Sequence, residues 1–352
     1  MTSPAETQKS WQEHIPEQAL ANWMSQEGLG EGAIEDAHLL GGGTQNLLLK
    51  FRHNDRDYVL RRPPPHLRAN SNDTMRREMR MLQALADTDV PHPRLIAGCS
   101  DETVIGAAFY LMEPVDGFTP VNGLPPVFAG DPALRHRMGL ALVEGIAGLG
   151  AVDYQAVGLA DFGNPDQYLE RQVGRWRSQL DSYQTFAGWP GPDGIPGVET
   201  VARWLENNRP ASFEPGILHG DYHLANVMYQ PDAPELAAIV DWELTSIGDP
   251  LLDLGWVLAT WPEQGIATVP TLKVEPWDGF PSSEELIEHY AARSHRSLAD
   301  IDWYTVLACF KLGIILEGTY ARACAGKAPK TTGELLHTST VNLFERALSR
   351  VR

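Results

Sequence analysis

The apolar positions of this chain change period along its length, and that change is the first guide to its architecture. Between residues 37 and 112 they come as short runs (37–40, 47–51, 56–62, 93–98 and 107–112) closed by Gly, Pro, Asn or Asp. Runs so bounded read as strands, and five of them predict a small antiparallel sheet. One stretch interrupts the pattern. Over residues 72–86, Met75, Met79, Leu82 and Leu85 fall at helical spacing behind the caps Asn70 to Asp73. Beyond Gly117 the spacing turns helical over 132–149, 165–180 and 197–207, and again as three amphipathic helices over 281–352. The expectation is an α+β protein in three parts. Residues 1–34 form an N-terminal helical extension ended by Gly28-Leu29-Gly30, residues 35–115 a sheet-rich lobe, and residues 116–352 a mainly helical one, with the hinge at Glu113 to Gly117.

Composition bounds the function more than the fold. At 352 residues, 43% of them hydrophobic, the chain can fill two lobes. Its three cysteines, Cys99, Cys309 and Cys324, are odd in number and scattered. That argues against a disulfide framework or a zinc site and fits a reducing, cytoplasmic compartment. Residues 1–14 show no leader pattern, and the apolar run 303–316 is broken by Lys311. A protein neither secreted nor membrane-spanning is expected. Forty-six acids against 28 bases make the formal charge −18, which speaks against a nucleic-acid or membrane partner. The same charge favours a cationic small molecule, or serves solubility alone.

Chemistry concentrates at Ile217-Leu218-His219-Gly220-Asp221-Tyr222-His223-Leu224-Ala225-Asn226. An Asp followed five positions later by an Asn is the spacing at which phosphoryl-transfer enzymes set a carboxylate near an acceptor hydroxyl and a carboxamide oxygen on magnesium. Fifteen residues past Asn226, the apolar run 237–240 ends in Asp241-Trp242-Glu243. Magnesium takes one or two protein ligands and completes its shell with phosphate and water, so Asn226 with Asp241 suffices if a nucleotide brings the rest. Upstream, Gly41, Gly42, Gly43 and Thr44 lie between two apolar runs. There, glycines allow backbone N–H groups to approach phosphate oxygens, or make a plain turn. The strand after it alternates, setting Val59 and Arg61 on one face and Tyr58, Leu60 and Arg62 on the other. The aromatics Tyr168, Trp176, Tyr183, Phe186 and Trp189 are candidates for an acceptor wall or for core.

At His219, Gly220, Asp221, His223 and Asn226 the chain resembles the aminoglycoside phosphotransferase and choline kinase family, whose loop reads His-Gly-Asp-x-His-x-x-Asn, and all five fixed positions match. The resemblance implies a two-lobed protein-kinase-like fold, ATP and Mg2+ as cofactors, and transfer of the γ-phosphoryl group to a small-molecule hydroxyl. It implies Asp221 as the catalytic carboxylate, Asn226 and Asp241 as metal ligands, and His219, His223 and Glu243 in support. Arg61 takes the place of the phosphate-binding lysine, with Arg62 as its rival. Glu78 pairs with it unless Arg77 or Arg80 does so, Met112, Glu113 and Val115 meet the adenine, and Asp253 holds the catalytic-loop backbone.

Leu60-Arg61-Arg62-Pro63-Pro64 and Asp241-Trp242-Glu243 are similar to the branch found attached to acyl-CoA dehydrogenases, over about residues 35–320. That branch implies a hydroxyacyl acceptor, whereas the net charge favours an aminoglycoside- or choline-type cation. A nucleotide-binding pseudokinase would be expected to lack Asp221 or Asp241, and both are present. Against a protein kinase, Gly220 stands where those enzymes have Arg, and no Ala-Pro-Glu follows Asp241.

Overall fold

The structure is a computed structural model that describes residues 11–41, 46–262 and 269–351. The chain divides into two compact units. The first holds everything up to Asp116 together with Ala238–Glu243; the second holds Gly117–Ala237 and Leu244 onward.

The first unit contains helix α1 (Glu17–Gln26), strands β1 (Glu35–Leu39), β2 (Leu47–His53) and β3 (Arg56–Arg62), helix α2 (Ser71–Leu85), and strands β4 (Leu95–Cys99) and β5 (Phe109–Met112). The strands form one antiparallel sheet in the order β1-β2-β3-β5-β4. One face meets the N-terminal residues. Trp11, Ile15, Leu20, Trp23 and Met24 share a single core with Leu49, Phe51, Leu60, Phe109 and Leu111, so the described part of the extension is integral to the sheet. Against β4 and β5 packs α2, burying Met75, Met79, Met81, Leu82 and Leu85. Each such side chain is worth about 1.5–3 kcal/mol of transfer free energy, enough to override the helix's four polar or charged residues in its first turn and a half.

Alternation along β3 separates its two arginines. Arg62 points with Tyr58 and Leu60 towards the α1 side, where it donates to the carbonyls of His14 and Ile105. Arg61 points the other way, to Glu78 of α2. After Pro91, whose carbonyl accepts the N–H of Ile239, the segment 238–243 joins this unit.

The second unit contains α3 (Pro132–Ala151), α4 (Glu170–Ser182), α5 (Val198–Asn207), α6 (Leu251–Thr260), α7 (Ser283–Ala291), α8 (Ile301–Cys324) and α9 (Lys330–Arg350). Strand β6 (Gly216–Leu218) is followed along the chain by β7 (Val227–Tyr229), β8 (Leu236–Ile239) and β9 (Ser246–Gly248), and β6 and β9 pair antiparallel in this unit. Of the three C-terminal helices, α8 departs from the amphipathic pattern. Residues Trp303 to Phe310 are buried without a break, because α4, α5, α6 and α9 surround the helix. Helix α6 starts at Leu251 with Pro250 as its N-cap, and the Asp249 carboxylate accepts from Leu251 N–H and from the Tyr304 hydroxyl.

Candidate active site

In the second unit, buried strand β6 delivers the chain to His219, and the loop from there to Asn226 is held by its own side chains and by α6. Asp253, fully buried in the first turn of that helix, takes the N–H of His219 on Oδ2 at 2.6 Å and that of Gly220 on Oδ1 at 2.9 Å. A buried carboxylate needs such donors, and these two fix the backbone just before Asp221. Gly220 has φ +87°, and a Cβ there would stand 2.6 Å from the carbonyl oxygen of Leu244, so both backbone and space require glycine.

Asp221 is held at both oxygens. His223 Nε2 lies 3.3 Å from Oδ1, and Asn226 Nδ2 donates to Oδ2 at 3.1 Å and to the Asp221 carbonyl at 2.9 Å. The other ring nitrogen of His223 accepts the Ala225 N–H, which in the neutral ring leaves the proton on Nε2, facing Asp221. Burial pushes the Asp221 carboxyl up, but the hydrogen bond from His223 and the electrostatic influence of His223, His219 and Lys311 outweigh it and hold the group well below the usual carboxylate range. With its amide nitrogen committed to Asp221, Asn226 keeps its carboxamide oxygen for another partner.

The first unit holds a second charged cluster. Arg61 Nε is 2.8 Å from Glu78 Oε2, and its Nη2 is 2.7 Å from Asp241 Oδ1 and 3.2 Å from Glu78 Oε1. Tyr110 of β5 donates to Glu78 Oε2 at 2.7 Å. Burial works against the Arg61 charge, yet Tyr110, Glu78 and Asp241 outweigh it and hold the guanidinium more firmly protonated than usual. Burial raises the Glu78 carboxyl, and Arg61 and Tyr110 offset only part of that. Asp241 sits at φ +67°, a left-handed conformation that turns the chain from β8 (Leu236–Ile239) into the short helix Trp242–Leu244. Such backbone is costly for a non-glycine residue and collects at functional sites. Glu243 is raised by burial and then by Asp241, and accepts from Asn46 Nδ2 at 3.4 Å.

Of the remaining candidates, Gly42, Gly43 and Thr44 lie outside the described residues, and Gly41 is exposed. At the hinge, the Glu113 N–H already donates to the Arg94 carbonyl and its carboxylate pairs with Arg56. A base meeting this stretch would therefore use carbonyl oxygens or the Val115 N–H. Among the described residues no group of three or more His, Cys, Asp or Glu is placed to hold a metal ion by itself. Asp241 and Asn226 are each a hard oxygen donor of the type magnesium accepts beside phosphate and water.

Sequence reading missed Lys311 and Arg175. Lys311 of α8 donates to the Gly220 carbonyl at 3.0 Å, and its Nζ stands 4.3 Å from the centre of the Trp256 ring. Its signal in the sequence is a single lysine within an apolar helix. The aromatic candidates divide. Tyr168 and Trp176 line a cavity beside Lys311, while Tyr183 and Trp189 are buried, bonded to the Ile314 carbonyl and to Glu317.

A small antiparallel sheet with one helix, followed by a helical unit carrying an Asp-x4-Asn loop, defines the kinase-like phosphotransferase fold. The chain belongs to the phosphotransferase enzyme family, whose sequence profile matches residues 36–286. A Ralstonia eutropha protein solved as a candidate aminoglycoside phosphotransferase is 32% identical, with a TM-score of 0.76 over 94% of this chain and 98% of that one. Acyl-CoA dehydrogenase family member 11 of Homo sapiens is 32% identical over 331 residues, 90% of this chain but 40% of that protein. Family member 10 of Mus musculus is 28% identical over 95% of this chain and 31% of that protein. The chain thus spans about a third to two fifths of these curated relatives. An aminoglycoside 2′-phosphotransferase IIIa variant solved as its GDP complex shares the fold at 17% identity and a TM-score of 0.61. Among the described residues no helix is long and apolar enough to cross a membrane.

Proposed function

We propose that this phosphotransferase moves the γ-phosphoryl group of ATP, as its magnesium complex, to the hydroxyl of a small hydroxyacyl compound. The observation that carries the reading is the Asp221 carboxylate, kept ionised and aimed by His223 and Asn226. A carboxylate held so far below its usual range is a weak base. Its work is to orient the acceptor hydroxyl and to receive the proton only as the new oxygen–phosphorus bond forms. Asn226 and Asp241 are the assigned magnesium ligands, and that ion would neutralise phosphate charge when bound. Arg61, steadied by Glu78, would hold phosphate oxygens, with the glycine loop from Gly41 as a further contact. Met112 to Val115 would meet the adenine. The hydroxyacyl acceptor rests on the acyl-CoA dehydrogenase relatives. A cationic acceptor of aminoglycoside or choline type is the second reading, favoured by the charge of −18 and by the aminoglycoside phosphotransferases among the neighbours.

A panel of hydroxylated acceptors assayed with magnesium-ATP for ADP release tests this. At least one should give acceptor-dependent ADP, and Asp221→Ala should cut its kcat on the order of a thousandfold while changing ATP affinity little. An Asp221→Ala variant turning over near the wild-type rate would remove the residue from its role.

A further inference from the structure

The second unit contains a cavity of about 230 Å³ walled by α4, α6 and α8 and reaching Gly220, the residue before Asp221. That is many times the space one water needs. Its apolar wall comes from Leu218, Leu252, Leu307 and the two indoles Trp176 and Trp256. Its charged groups are Arg175, Lys311 and Asp253. Both oxygens of Asp253 accept backbone N–H groups, from His219 and Gly220, so part of its charge is already answered within the loop. The two cations are differently placed. Arg175 is exposed and stacks 5.3 Å from the Trp176 ring, while Lys311 sits partly buried between Trp256, at 4.3 Å, and Trp176, at 5.6 Å. Lys311 has three donors, and one goes to the Gly220 carbonyl. Among the described residues the indole N–H groups of Trp176 and Trp256 are buried without an acceptor. Beside the polar Tyr168 and Gln172, the wall carries two cations against one carboxylate that already accepts two backbone N–H groups, inside a chain that is acidic as a whole.

We infer that this cavity is the acceptor site and that Lys311 and Arg175 select an acceptor bearing a negative charge, the carboxylate of a hydroxy acid. The inference rests on the phosphotransferase reading above and supplies its acceptor chemistry. A carboxylate placed here meets an ammonium and a guanidinium in a partly dry site, where charge-assisted hydrogen bonds are strong. An ammonium meets like charge on two sides and gains no carboxylate in exchange. Lys311 is also the link to the reaction. Its hydrogen bond to Gly220 places the acceptor's charged end at a set span from Asp221, so chain length between carboxylate and hydroxyl becomes part of the selection. Burial lowers the Lys311 amine to about 8, with Asp221 and Asp253 opposing the fall and Arg175 adding to it. A bound carboxylate would reverse that drop.

The test is equilibrium binding to the full chain, followed by tryptophan fluorescence. The probes are straight-chain hydroxy acids of four to six carbons, the matching uncharged amides, and kanamycin. At least one acid should bind about tenfold tighter than its amide. Lys311→Met should erase most of that ratio while leaving amide binding in place, and Arg175→Gln should lower it by about threefold. Equal binding of acid and amide, tighter binding of kanamycin, no binding of any acid, or an unchanged ratio in Lys311→Met would each overturn the inference. Should Lys311→Met fail to fold, the wild-type ratio and the exposed-site variant Arg175→Gln decide. Because binding needs no turnover, the two readings fail separately. Kanamycin phosphorylation without acid binding sinks the cavity assignment alone, whereas acid binding without transfer to any acceptor sinks the phosphotransfer reading alone.

Discussion

Arg61 and Lys311 are both cations within a protein interior, and their surroundings treat them in opposite ways. Around Arg61 stand two carboxylates and a tyrosine, and its charge is more secure than in water. Around Lys311 stand two indole faces and one carbonyl, with Asp221 and Asp253 acting on it only through space, and its charge is less secure, the amine lowered by burial to about 8. The first cluster carries its own ion-paired carboxylates. The second, among the described residues, gives its cation no carboxylate at ion-pair distance, as a site waiting for an anion would. Residue type also follows this division. Guanidinium suits a permanently ionised cluster, while a compact ammonium responds to what occupies its cavity.

The comparison breaks most sharply at Arg61. Arg61→Ala leaves Glu78 buried without its cation and should cost about 3–5 kcal/mol in thermal or denaturant unfolding. At temperatures where the variant stays folded, it should weaken ATP far more than AMP in calorimetry. Arg62→Ala removes donors to two carbonyls on the opposite face and should leave the ATP to AMP ratio unchanged. A larger ATP loss from Arg62→Ala would put the phosphate contact on the wrong face of β3.

The next effect is in pH. Lys311 must be protonated to hold a carboxylate, so the KM for a hydroxy acid should rise above pH about 8, approaching tenfold per unit. ATP affinity, which depends on Arg61, should stay flat over the same range. A parallel rise in both would assign the titration elsewhere. Tyr110→Phe removes the hydroxyl donor to Glu78 and should cost about 1–2 kcal/mol of stability, less than the arginine does.

Smallest is the stability effect of Lys311→Met, within about 1 kcal/mol at neutral pH, since Asp253 keeps its two backbone donors and Asp221 keeps His223 and Asn226. The sign with pH is set by linkage. The folded chain holds this amine at about 8 against an ordinary 10.5, so the unfolded chain binds more protons between those values. Wild-type stability relative to the variant should therefore rise with pH across that window. A fall on chemical denaturation from pH 8 to 10 would contradict the depressed amine.

The parts of the molecule legible in its sequence are those with a local rule behind them. Period-two and period-3.6 spacing located the five strands of the sheet and helix α2 to within a residue or two, and β3 alternation separated Arg61 from Arg62. The loop from His219 to Asn226 is readable because its five motif residues lie within eight positions and Asp221 is bonded by two of them, His223 and Asn226. What was not readable depends on distant chain. Tyr110 is 32 residues from Glu78, and Lys311 is 91 residues from Gly220, so no window contains either pair. Residues 11–34 looked like an appendage because their apolar positions find partners only once the sheet has formed. The even burial of α8 likewise comes from helices on every side, which its own sequence does not encode.

Gly220 carries a consequence for what this loop can become. Any side chain at that position must adopt a left-handed backbone and push its first carbon into the Leu244 carbonyl 2.6 Å away. Protein kinases carry Arg at the equivalent place, and phosphorylated activation loops are ordered through arginines. For this chain an Arg cannot enter by one replacement, because the segment around Leu244 would have to move first. The loop is thus closed to that residue unless its neighbour across the turn changes with it.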